Sequence, residues 1–220
     1  MKALVLLVLV GCTGDLVEPW QLDHDRIVAV RSTPPRIPAG ATAQLDVLVA
    51  TAGADVTTLA PDSTVVVSPP SLASAMNGAT VTAPSEETLA TARAELGLDP
   101  GAPIPLDVEL TANGFTATKT VWLGDTATNP SLDGLEIEDG SPGDDLVLPV
   151  KTDVRLAVTA DDSVDNVTWL TSCGTMHDFD LSRAYLRIEP ADPQAGQLVV
   201  VYRGAGGGVS WRIWPVRASE

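Results

Sequence analysis

Cys173 and His177 stand four residues apart, a spacing that would serve a Cys–His nucleophile or half of a metal site. Neither reading finds the rest of its parts. Zinc takes three or four ligands, and the chain holds 2 His and 2 Cys, one of the latter in its N-terminal leader, so carboxylates would have to complete the shell. Nucleophilic catalysis needs an activated thiolate and a third, orienting group, whose position a sequence does not reveal. Cys173 is read instead as a structural thiol, since free cysteines are among the most often buried residues.

The loop Asp161-Asp162-Ser163-Val164-Asp165-Asn166 alternates oxygen donors as a hard cation such as Ca²⁺ accepts them. An EF-hand loop wants Gly at its sixth position and Glu at its twelfth; here these are Asn166 and Ser172, and Asp144 and Asp145 would join only if the fold brought them near. A solvated turn is the expectation. Gly204-Ala205-Gly206-Gly207-Gly208 looks like a phosphate loop, but Val209 stands where the fingerprint needs Gly, no Lys follows, and strands flank it, so a hairpin turn is expected. Odd spacing puts Trp211 and Trp214 on opposite faces of one strand, with room for one in the core and the other exposed for stacking on a sugar. His24, between Asp23 and Asp25, lies in a surface lead-in. No catalytic, cofactor or metal-ligating residue is assigned, and the chain is not expected to be an enzyme.

A different chemistry is written at the start. Met1-Lys2 precedes the unbroken apolar run Ala3 to Val10, the layout of a secretory signal peptide. A helix of that length reaches about 12 Å, far short of the roughly 30 Å hydrocarbon slab, so the run serves export and not spanning. Leu9-Val10-Gly11-Cys12 resembles the lipobox of bacterial lipoproteins. The resemblance implies cleavage after residue 11, diacylglycerol on Cys12 and a membrane anchor of two or three acyl chains, each buried CH₂ contributing about 0.8 kcal/mol. Thr13 follows where an Asp would favour inner-membrane retention, so the resemblance points to the outer membrane. With Cys12 acylated, Cys173 has no disulfide partner and the exported chain folds on its apolar core alone.

Charge narrows the partners. Against 13 Lys and Arg stand 29 Asp and Glu, a net −16 that repels nucleic acid, and the cations form no run. Hydrophobic residues make up 45% of the 220, which excludes a disordered acidic chain despite 17 Pro and 18 Gly.

The elements follow from short β-branched runs between Pro, Gly, Asn and Asp. Residues 12–22 read as a lipidated tether. Within 23–124, strands are expected at Arg26–Arg31, Ala43–Ala50, Thr64–Ser68 and Ala79–Ala83, with one short helix over 86–96 between a Ser85 cap and Gly97, its Leu89, Ala92 and Leu96 on one face. Asn113-Gly114 reads as a two-residue hairpin turn after Leu106–Ala112. In that register Val108 faces Lys119, a conflict that a bulge or an edge position would resolve. Residues 125–133 form a polar linker, and 134–220 restart the pattern with seven strands.

Val154 to Ala160, a loop, then Val167-Thr168-Trp169 resembles the B and C strands of bacterial Ig-like domains, with Trp169 as their buried aromatic. The Cys pair of antibody-type domains is absent. The layout is similar to multi-domain Ig-like envelope lipoproteins of environmental Gram-negative bacteria. It implies an all-β chain of two tandem immunoglobulin-like sandwiches, without cofactor, anchored to the membrane by lipid. The role expected is structural or protein-interacting, toward an envelope protein or polysaccharide; the alternative is a glycan-type ligand-binding module.

Overall fold

The computed structural model describes residues 18–132, 134–138, 143–158 and 164–219, the side chains of 164 and 165 excepted. Cys12, the signal peptide and most of the Asp161–Asp165 loop lie outside them. In the first sandwich, one sheet holds β1 (Arg26–Thr33), β3 (Thr42–Ala50), β7 (Thr80–Thr82) and β6 (Met76–Asn77) in that order, with β4 (Thr57–Leu59) also on β3. The other runs β2 (Arg36–Ile37), β9 (Phe115–Leu123), β8 (Ile104–Ala112), β5 (Ser63–Ser68). Strict alternation in β8 sends Ile104, Leu106, Val108, Leu110 and Ala112 inward. They meet Leu45, Val81 and Val121 or, further along, Val47 and Val49.

The helix α1 (Glu86–Leu96) begins where Ser85 Oγ accepts from Thr88 N and ends at Gly97 in the left-handed region, φ 67°. Leu89 and Ala92 are buried as expected, but Leu96 is exposed. Arg93 takes the third inward position: its guanidinium donates to Ala102 O and pairs with Glu86, so the helix closes its inner face with an ion pair where the sequence had placed a leucine.

At the β8–β9 turn Asn113 and Gly114 take φ 50° and 78°, the two positive values of a type I′ turn. The register pairs Leu110 with Ala117, Leu106 with Val121 and Val108 with Lys119 without a bulge. The edge answers the conflict, because β9 has a second neighbour only at Trp122 and Leu123, through β2.

The second sandwich pairs the sheet β10 (Leu135–Ile137), β12 (Val154–Val158), β15 (Arg183–Arg187), β14 (Thr175–His177) with β11 (Leu146–Pro149), β17 (Val209–Ser219), β16 (Ala195–Gly204), β13 (Val164–Thr171). Trp169 is fully buried at its centre, donating Nε1–H to Leu181 O at 2.8 Å. The seven expected strands are present, and β14 is an eighth.

Trp20 belongs to this second core, although it precedes the first sandwich in sequence. Thr171 N donates to Trp20 O and Leu22 N to Thr171 O, both at 2.9 Å, tying the leading segment to the edge of β13. The tether read over 12–22 is thus packed structure by Trp20, because an indole buried in the neighbouring sandwich outweighs the entropy of a free leash.

The sandwiches also share a core. β16 is buried on both faces from Leu198 to Tyr202. Leu198, Val200 and Tyr202 face its own sandwich, while Val199 and Val201, with Trp211, pack on Leu48, Ala50 and Val56 of the first. Polar ties close the seam: Trp211 Nε1–H donates to Thr58 Oγ1 at 3.0 Å, Val56 N to Gln197 Oε1 at 2.6 Å and Ser210 Oγ to Pro130 O at 2.7 Å. Asn129 of the linker grips both sides, donating to Ser32 O and accepting from Val209 N.

Candidate functional site

Cys173 and His177 do not form a site. Cys173 is buried, its thiol pushed up chiefly by burial against a hydrogen bond from Thr171, whereas His177 is exposed at the end of β14. His24 Nδ1 donates to Oδ1 of the adjacent Asp23, at 2.7 Å on the surface. Asp144 and Asp145 are exposed, and Asp145 lies 4.0 Å from Arg217. Among the described residues, no three His, Cys, Asp or Glu cluster as a metal site would need. No helix among them is long and apolar enough to cross a membrane.

Trp211 and Trp214 do lie on opposite faces of β17, but both are buried, at 9% and 2% exposure. Trp214 fills the second core, and the first sandwich covers Trp211, whose ring carries Arg31 4.0 Å from its centroid. Both therefore pack as ordinary buried aromatics, and the alternative of a sugar-stacking platform on this strand is not met. The outer face of the sheet was spent on the seam.

Gly204–Gly208 is a hairpin turn, as expected, closed by Gly204 N donating to Gly208 O and Gly207 N to Gly204 O. Its glycines have a second reason. A Cβ at Gly207 would stand 3.0 Å from Trp122 Nε1, and one at Gly208 2.9 Å from Pro130 Cδ, so bare backbone lets the turn enter the first sandwich's edge.

That entry creates a cleft. β1 ends one sheet of the first sandwich and β9 is exposed along most of the edge of the other, so the side between them is open; the β16–β17 hairpin seats against it. A space of about 580 Å³ remains, lined by Ile27–Val30 of β1, Ala117–Thr120 and Trp122 of β9, Arg203 and the hairpin. Among the described residues, no acidic side chain lines it. Lys119, only 8% exposed, donates from Nζ to Gly207 O at 2.6 Å. Burial, with a smaller contribution from Arg203, brings its ammonium down to about 8. Arg203 donates to Thr168 Oγ1 and Val28 O at 3.2 Å each, and burial lowers its pKa as well. Beyond Arg203 a smaller recess of about 180 Å³ adds Arg26, which donates to Pro19 O and Gln21 O. The arrangement can hold negative charge.

Sequence reasoning had flagged Lys119 only as a cation in a core register. That mismatch was the available signal. Arg203 gave none, because its role depends on which sandwich covers the end of β16.

No protein-family model and no curated protein sequence matches the chain. Among solved structures, it is similar to a chimeric titin Z1Z2 tandem at 14% identity, over 89% of this chain and 100% of that one, with TM-score 0.34. The Ig1-2 module of the Drosophila receptor protein tyrosine phosphatase DLAR matches at 10% over 90% and 100%, TM-score 0.33. DIP-gamma IG1+IG2 matches at 12% over 90% and 99%, TM-score 0.30. The chain is an all-β protein of two tandem Ig-like sandwiches with one short α-helix.

Proposed function

We propose that this is a non-catalytic, lipid-anchored protein of the cell envelope, exported and held at the outer membrane, whose joined sandwiches serve a structural or protein-interaction role. The observation that carries the anchoring is the twelve-residue leader, in which one cation, a short apolar run and Leu9-Val10-Gly11-Cys12 coincide. The body supports an interaction role through its continuous seam. A pair of sandwiches sharing buried Val199, Val201, Leu48 and Trp211 presents a fixed surface to a partner, and its ordering is already complete before binding. Mass spectrometry of the mature N-terminus, with alkyne–palmitate labelling of cells, tests the anchor. Acylated Cys12 in the membrane fraction, lost in Cys12→Ser, is the expected result; an unmodified sulfur on freely released protein overturns it.

A second reading, a ligand-binding module, no longer rests on Trp211 and Trp214. The cationic cleft favours it instead.

A further inference from the structure

We propose that the cleft between β1, β9 and the β16–β17 hairpin binds a ligand through a carboxylate or phosphate group held by Lys119 and Arg203. The inference is independent of the lipid anchor, which Cys12 alone decides.

The first ground is charge placement. Acidic residues outnumber basic ones by 29 to 13, and the guanidinium groups of Arg31, Arg36, Arg93 and Arg187 find carboxylates, on Asp46, on Asp125, on Glu86 and on Asp153 with Glu189, whereas Arg26, Arg155, Arg183 and Arg212 make no ion pair among the described residues. Lys119, which is buried, and Arg203, which is half-buried, make no ion pair among the described residues. In a chain this acidic, two neighbouring cations facing a space whose described lining holds no carboxylate are an arrangement that costs stability and that an incoming anion would offset.

The second ground is unspent hydrogen bonding. An ammonium carries three donors, and Lys119 Nζ spends one on Gly207 O. Arg203 has five, of which two contacts to Thr168 Oγ1 and Val28 O are made, leaving donors to form charge-assisted bonds with an oxyanion. The side of β1 away from β3 and the edge of β9 up to Val121 hold backbone groups with no ladder partner among the described residues, and these adjoin the same space.

The third ground is size and place. The cleft, open to solvent at a boundary between sandwiches, offers about 580 Å³, within the range of small-molecule sites, and the burial of Lys119 at its floor strengthens that group's attraction to an anion relative to open surface. The chain's field opposes anions at long range, so affinity must come from these contacts.

Among the described residues, the charged groups bearing on Lys119 are Arg203 from β16 and, at Gly206 of the hairpin, the Arg36–Asp125 pair; β1 contributes Ile27–Val30 to the cleft. Anion binding should therefore weaken as Lys119 loses its proton above pH 8.

Calorimetric titration of the full chain in low-chloride buffer with inorganic phosphate, and separately with citrate, tests this. Saturable binding by at least one probe is expected, tenfold or more weaker in Lys119→Met and in Arg203→Gln, unchanged in the exposed control Arg212→Gln, and several-fold weaker at pH 9 than at pH 7. The stronger probe tells phosphate from carboxylate. Should a variant fold poorly, lysine ¹³Cε NMR of the unaltered protein reads Lys119 directly: the bound anion must raise its titration midpoint. No saturation by either probe, affinity retained in both variants, or an unmoved midpoint under saturating anion overturns the proposal.

Discussion

Lys119 occupies a position that alternation reserves for an apolar side chain, opposite Val108 and between the inward Val121 and the turn. Placing an ammonium there depresses its pKa from 10.5 to about 8, and the sign of the consequence is fixed by linkage. Between those values the unfolded chain binds the proton and the folded chain does not, so stability rises with pH through that window. Below about 8 the folded state carries the whole penalty. Lys119→Met should therefore be more stable than the parent at pH 7 by about 1–3 kcal/mol, with the gap closing toward pH 10. Urea unfolding at pH 7 and 10 measures it. A variant less stable at pH 7 would mean that the bond to Gly207 O outweighs the desolvation. The misfit of Lys119 and the edge position that answers it were legible in the sequence; its hydrogen-bond partner was not, because the carbonyl it meets lies 88 positions away.

At the scale of elements, local chemistry was readable where both halves of a contact are close in sequence. Ser85, Gly97 and Asn113-Gly114 act as expected, since caps and tight turns are decided within four residues. β14 was missed because Thr175-Met176-His177 buries one side chain in three, too little for a period. In β16 the run Leu198 to Tyr202 was legible as a strand, but nothing in it named the second surface that covers it. Two substitutions separate these levels. Ser85→Ala removes one cap and should cost about 1 kcal/mol. Val201→Asp buries a carboxylate in the seam and should cost on the order of 4 kcal/mol or more. Chemical denaturation of both checks the contrast, and comparable losses would place Val201 outside the buried interface in solution.

For the whole molecule, the two sandwiches should melt together. Shared Leu48, Ala50, Val199 and Trp211, together with Asn129 gripping both sides, give neither half a complete surface alone. Calorimetry should show one cooperative transition. Trp211→Ala, removing a large aromatic and its bond to Thr58, should cost about 3–5 kcal/mol and resolve the curve into two steps. Two steps in the parent would mean that the halves fold independently. The tandem was legible from two strand-rich stretches around a polar break; their union was not, because composition reports what is apolar and not what it touches.

The docking of Trp20 has a consequence for posture. The chain joins the body in the second sandwich's core and only then begins the first at Arg26, so it enters at the waist. An acyl group on Cys12, eight residues upstream, would have a leash of at most about 29 Å. Were Cys12 acylated as proposed, so short a leash would keep the waist of the body, and not one of its ends, within reach of the bilayer.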